Sequence, residues 1–126
     1  MNKKVLDSSA ILAVLLAEPG SEIVAPLLAD ALVSTVNVAE VFGKLIEKKL
    51  LTETTKSDFQ QLGLEIVDYD FEQACKAAEL RPLTKHLGLS LGDRSCLALA
   101  ILKEAAAVTA DRDWKRLSFC PVEMIR

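Results

Sequence analysis

The chain has little with which to build several kinds of site. Its single histidine, His86, excludes any centre that needs several imidazoles, and beside Lys85 and Gly88 it is expected at the surface or at a helix end. The three cysteines, Cys75, Cys96 and Cys120, stand far apart in no metal-ligand spacing, and their odd number with no signal peptide in evidence suggests reduced thiols. Cys96 lies in an apolar run and is expected in the core. The longest apolar stretch near the start, Ala10 to Ala17, is too short to cross a bilayer, so a soluble, cytoplasmic protein is expected. A formal net charge of -3 is the wrong sign for coating nucleic acid by bulk electrostatics, although a bound cation and local basic side chains can reverse the field at one place. Aromatics make up 5% of the chain, which leaves few stacking platforms for bases. No linker, repeat or low-complexity tract interrupts it, and 126 residues suit one core rather than two; a single domain spanning 1–126 is expected.

What is present is an alternation of short apolar runs and helical patterns. Lys3 to Leu6 reads as a strand running through Asp7-Ser8-Ser9 into a helix over Ala10 to Ala17, stopped at Pro19-Gly20. Ser21 can cap a second helix to about Asp30, with a break near Pro26. Leu32 to Thr35 is a second strand. Val38, Phe42, Leu45 and Ile46 then mark one face of a helix reaching about Leu50, with Glu40 off that face. A helix over Thr52 to Leu62, a strand over Glu65 to Asp68 and a helix over Phe71 to Leu80 follow, with a shorter helix after Pro82. The segment from Gly92 to Ala105 has almost no polar face and should be buried. Ala106 to Thr109 and Val122 to Ile125 complete the strands, the last at an edge. Strands that alternate with helices imply an α/β sandwich with a mostly parallel central sheet of four to five strands. In such folds ligands bind outside the carboxyl ends of the strands, where Asp7 and Asp111 would stand.

Four acids, Asp7, Glu40, Asp93 and Asp111, each sit near a strand end or helix start. Each has an ordinary explanation: Asp7 as a helix cap, Asp93 in a first turn favoured by the macrodipole, Asp111 in a turn, and Glu40 paired with Lys44. Together they are harder to dismiss. Carboxylates crowded at one rim repel one another, and such a cluster makes sense chiefly around a hard divalent cation such as Mg²⁺ or Mn²⁺.

The wording around these acids resembles PIN-domain nucleases in four ordered motifs: Val5-Leu6-Asp7-Ser8-Ser9-Ala10, Asn37-Val38-Ala39-Glu40-Val41, Leu91-Gly92-Asp93-Arg94-Ser95-Cys96-Leu97-Ala98, and Val108-Thr109-Ala110-Asp111-Arg112-Asp113-Trp114. Within that family, length and motif wording are most similar to the VapC toxins of toxin–antitoxin pairs. The resemblance implies a three-layer α/β/α fold and a Mg²⁺- or Mn²⁺-dependent endoribonuclease that acts as a toxin. It also implies a homodimer neutralised by a small VapB-like antitoxin. On that basis Asp7 and Asp93 are the main metal ligands, Asp111 a further one, and Glu40 orients or deprotonates the attacking water.

Ser9 and Thr109 are candidates to hydrogen-bond the ligating acids, with local capping as their ordinary reading. Asn37 could bond a ligating carboxylate or substrate, or cap a helix; Asp113 is a supporting acid. Arg94, Arg112, Lys115 and Arg116 are candidates for RNA phosphates, and Trp114 for the core before base stacking. Few aromatics suit recognition of an RNA loop or shape better than sequence-blind coating. Two rivals remain: a catalytically silent PIN-like binding module, and a Mg²⁺-dependent phosphotransfer domain. The second fits poorly, because Ser9 stands where a haloacid-dehalogenase pattern needs an Asp, and no adjacent early acids exist for a receiver.

Overall fold

A computed structural model describes residues 3–126; the first two residues of the expected 1–126 unit lie outside it. Five strands form one sheet in the order β3-β2-β1-β4-β5, every neighbouring pair parallel. They are β1 (Lys4–Leu6), β2 (Ala31–Ser34), β3 (Glu65–Val67), β4 (Ala106–Thr109) and β5 (Val122–Met124). The helices are α1 (Ser8–Leu15), α2 (Ser21–Val24), α3 (Thr35–Glu47), α4 (Thr55–Gln60), α5 (Phe71–Glu79), α6 (Arg81–Thr84) and α7 (Leu91–Leu102). Short 3₁₀ segments cover Ala25–Asp30, Lys85–Leu87 and Arg112–Arg116. Among the described residues no helix is long and apolar enough to cross a membrane.

The period-two alternation of the strands divides the core. Val5, Leu32 and Ala107 join α5 and α7 in one cluster, together with Trp114 and Cys120. Leu6, Ala31, Val33 and Val108 join α1, α3 and Phe59 of α4 in the other. Helices therefore cover the sheet on two faces, and the central strands β1, β2 and β4 are buried nearly throughout, as parallel strands must be. The almost wholly apolar α7 is the most buried helix, with Cys96, Leu97, Ala98 and Ala100 fully enclosed.

Several boundaries differ from those the sequence suggests, for local reasons. α1 begins at Ser8 rather than Ala10, because Asp7 caps it and the strand passes straight into the helix. The second strand ends at Ser34, whose hydroxyl accepts from the Val36 N–H, so Thr35 is already helical. α7 stops at Leu102 rather than Ala105: Glu104 takes a left-handed conformation (φ 53°) and turns the chain into β4. Pro26 stands in a 3₁₀ segment after α2, the break expected there. His86 is exposed in its 3₁₀ turn and Trp114 is fully buried.

From β1 the order runs outward to β2 and β3 on one side and to β4 and β5 on the other. The strand order thus reverses between β1 and β4, which is where open α/β sheets bind ligands at their carboxyl ends. Asp7 follows β1 and Asp111 lies two residues beyond β4.

Candidate active site

Asp7 is the best-held of the four acids. Its side chain is only 4% exposed, and it accepts from the Ala10 N–H (2.9 Å) and the Ser9 hydroxyl (2.7 Å) through Oδ1 and from the Thr109 hydroxyl (2.5 Å) through Oδ2. Burial raises its pKa to about 6; the three hydrogen bonds oppose that rise, and the charge of Asp93 adds to it. Thr109 Oγ1 also accepts from the Asp111 N–H at 3.0 Å, and Ser9 Oγ accepts from the Ala110 N–H at 2.9 Å. One small hydroxyl network therefore ties the end of β1 to the end of β4.

Glu40 projects from α3 and is held on its inner side. Asn37, fully buried one turn earlier, donates through Nδ2 to Glu40 Oε1 (2.8 Å) and to the Gly92 carbonyl (3.1 Å). Two acceptors on one side of the amide fix its orientation with the nitrogen facing them. The other amide atom, Asn37 Oδ1, is buried and accepts nothing among the described residues. The Glu40 carboxylate packs against the backbone of Gly92: a Cβ there would lie 2.1 Å from Glu40 Oε2. The absence of a side chain at Gly92 is thus what lets an acid of α3 settle beside the first turn of α7. Lys44, the alternative partner for Glu40, pairs with Glu47 instead, at 3.5 Å.

Asp93 is the third residue of α7 in a capping box: Ser90 Oγ accepts from the Asp93 N–H, and Asp93 Oδ2 accepts from the Ser90 N–H at 2.8 Å. Its charge is felt at Asp7. Cys96, one turn further along α7, has its thiol pKa pushed well up by burial first, and then by charges that include Asp7, Asp93 and Glu40. Asp7 at the start of α1, Glu40 one turn into α3 and Asp93 in the first turn of α7 all contribute charge at this thiol. Asp111 is linked to them through Thr109 rather than through its carboxylate, whose Oδ1 accepts from the Asp113 N–H. The carboxylate of Asp113 itself is exposed.

The ordinary roles hold as well: Asp7 and Asp111 each cap a helical segment just past a strand, and Asp93 completes the capping box of α7. The basic candidates divide. Arg112, Lys115 and Arg116 are exposed on the 3₁₀ segment after Asp111. Arg94 is instead 8% exposed, and its guanidinium donates to the Ala77 carbonyl of α5 at 3.0 Å. Its place one residue after Asp93 turns it roughly 100° around α7 and toward α5.

The donor chemistry fits a hard divalent cation: the acids offer only oxygen, His86 is exposed in a separate turn, and the Cys96 thiol is kept protonated by its surroundings. As the side chains stand, each acid is engaged by a local donor, and among the described residues no three His, Cys, Asp or Glu groups are gathered into a metal cage. A groove of about 340 Å³ between α1, α3 and α4 has Leu15, Leu45 and Phe59 in its walls and none of the four acids, so it is separate from this cluster. Nothing in the residue pattern marks Gly92 as the seat of Glu40. The Ser90 cap was visible only as a Ser three residues before an Asp.

The sequence matches the PIN domain over residues 4–119. No curated protein matches it. Solved structures of similar fold include the VapBC2 complex of Rickettsia felis bound to a DNA fragment from its promoter, at 22% identity and TM-score 0.76, covering 96% of this chain and 97% of that one. A toxin–antitoxin complex from Klebsiella pneumoniae superposes at TM-score 0.77 with 15% identity, over 98% of each chain. FitAcB from Neisseria gonorrhoeae does so at TM-score 0.75 with 23% identity, over 97% of each.

Proposed function

The chain belongs to the PIN-domain family, and from that premise we propose that it is a Mg²⁺- or Mn²⁺-dependent endoribonuclease, a single PIN domain over residues 1–126. We place it as the toxin of a type II toxin–antitoxin pair, a cytoplasmic homodimer restrained by a small VapB-like antitoxin. The observation that carries the nuclease reading is the buried, triply hydrogen-bonded Asp7 at the point where the strand order reverses, with the Glu40 carboxylate seated on Gly92, the residue before Asp93. The toxin reading is supported by the four motifs and by a shared fold with structures described as toxin–antitoxin complexes.

Asp7, Asp93 and Asp111 would hold the cation, which when bound supplies positive charge against the negative charge that develops on a phosphodiester under attack. The remaining work falls to the chain's own groups. Ser9 and Thr109 fix both oxygens of Asp7, so that this carboxylate does not rotate. Glu40 acts as base. Asn37 holds its Oε1, leaving Oε2 to take the proton of the attacking water while a new P–O bond forms and an ester P–O bond breaks. Arg112, Lys115 and Arg116, exposed beyond Asp111, neutralise phosphates along the RNA.

Purified protein incubated with total cellular RNA is expected to cut it when Mg²⁺ or Mn²⁺ is present and to leave it intact in EDTA. Equal cutting in EDTA would remove the metal from the account. RNA left whole with both metals would favour a silent binding module.

A further inference from the structure

The nuclease reading makes no use of a second cluster of charge on the α5–α7 side. Arg81 of α6, Lys85 of the following 3₁₀ turn and Arg94 of α7 line one groove of about 210 Å³, completed by Thr84, Gly88 and Leu89. That is room for several waters, each of which occupies about 30 Å³ in the liquid, and hence for a phosphate group. Among the described residues no carboxylate lies within ion-pair distance of any of the three cations.

Arg94 has a structural task, because Ala77 is near the end of α5, where carbonyls lack intrahelical partners and a cation suits the helix dipole. That task uses one of its five N–H donors. It does not account for Arg81 and Lys85, whose like charge raises the cost of a guanidinium that is 8% exposed and has no counter-ion. Three convergent cations, one of them a planar fork held rigidly by the core, form a receptor for a tetrahedral anion. Arg94 turns toward α5, about 100° around α7 from Asp93, and Gly88 and Leu89 of the groove lie just before the Ser90 cap of α7.

We propose that the Arg81–Lys85–Arg94 groove is a phosphate subsite that takes a backbone phosphate of the bound RNA other than the one being cut. The ligand class rests on the endoribonuclease reading; the groove and its charge do not. Single-stranded RNA bound to the full chain in EDTA, where no cutting is expected, separates the two. Its affinity is read by fluorescence anisotropy across a salt series, for wild type, for Arg81→Gln with Lys85→Gln, for Arg94→Lys, and for Lys103→Gln at the opposite end of α7. Arg81 and Lys85 are exposed, so their replacement leaves the thermal unfolding temperature unchanged.

The double variant is expected to bind about tenfold more weakly at low salt, with a log–log salt slope shallower by about 0.7 to 1.4, the loss of one or two phosphate contacts. Arg94→Lys keeps the charge and loses the fork, giving a smaller fall in affinity at nearly constant slope, and Lys103→Gln changes nothing. An unchanged slope in the double variant overturns the proposal. So does a groove whose Gly88 and Leu89 amide signals move with inorganic phosphate while RNA binding is untouched, since that is a site for the free anion. A shallower slope in a chain that cuts no RNA with Mn²⁺ would keep the subsite and remove the nuclease; intact cutting with an unchanged slope would do the reverse.

Discussion

Replacing Asp7 by Asn is expected to slow RNA cleavage on the order of 10³-fold and, in the absence of divalent cation at pH 8, to make the protein melt at a higher temperature. The loss of rate follows from removing a charged oxygen donor where several kcal/mol of transition-state stabilisation are gathered. The gain in stability follows from the cost of burying that charge. Burial raises the Asp7 pKa from 3.8 to about 6, so the folded chain holds a proton that the unfolded chain has released between those values. The protonated carboxyl's contribution is full below pH 3.8 and is lost as pH rises through 6. Above that, the wild-type fold bears a penalty of about 3 kcal/mol.

Asparagine carries no such charge, but its amide would face the Thr109 hydroxyl with a donor in place of an acceptor, returning about 1 kcal/mol. The balance is a melting temperature higher by roughly 5 to 10 °C at pH 8, with little difference from wild type at pH 4. Melts of EDTA-treated protein at the two pH values check this. A variant less stable than wild type at pH 8 would mean that Asp7 is chiefly a structural cap.

Gly92→Ala should separate folding from catalysis in the opposite direction. Gly92 is the second residue of α7, where alanine gains less over glycine than the about 1 kcal/mol of a helix interior, and the atoms its Cβ would strike belong to the far end of an exposed, flexible side chain: Glu40 Oε2 at 2.1 Å, Cδ at 2.5 Å and Oε1 at 2.6 Å. Glu40 can swing outward, so the fold survives with its melting temperature unchanged or slightly raised. The carboxylate loses its seat and its Asn37 hydrogen bond, and kcat is expected to fall on the order of 10²-fold, the scale of a lost general base. Because both changes disable the same group, Gly92→Ala added to Glu40→Gln should cost little beyond Glu40→Gln alone. A Gly92→Ala enzyme at full rate would deny Glu40 its role as base.

Much of the fold was legible in the chain because its signals are local. Short apolar runs such as Ala31–Ser34 and Ala106–Thr109, bounded by helical patterns, read as buried strands, and the apolar run of α7 from Cys96 to Leu102 announces its own burial. The alternation with helices then requires parallel pairing. The strand order placing β1 between β2 and β4 was not written in any segment, since it depends on which crossover packs on which face. At the site, the positions of Asp7 and Asp111 at strand ends could be read, as could hydroxyls near them at Ser9 and Thr109. What could not be read were contacts made across the fold: Glu40 on the backbone of Gly92, and Arg94 turned away to Ala77 although it adjoins Asp93. A side chain's neighbour in sequence fixes its height on a helix, while the angle around the axis decides what it meets.

The most direct test is diffraction from crystals grown with Mn²⁺, recorded where manganese scatters anomalously. A peak touching carboxylate oxygens of both Asp7 and Asp93, with Glu40 facing it, is the predicted result. Manganese absent from that place while saturating other sites, with Asp7 still bonded only to Ser9, Thr109 and Ala10, would contradict the claim that these acids form one cation-binding centre.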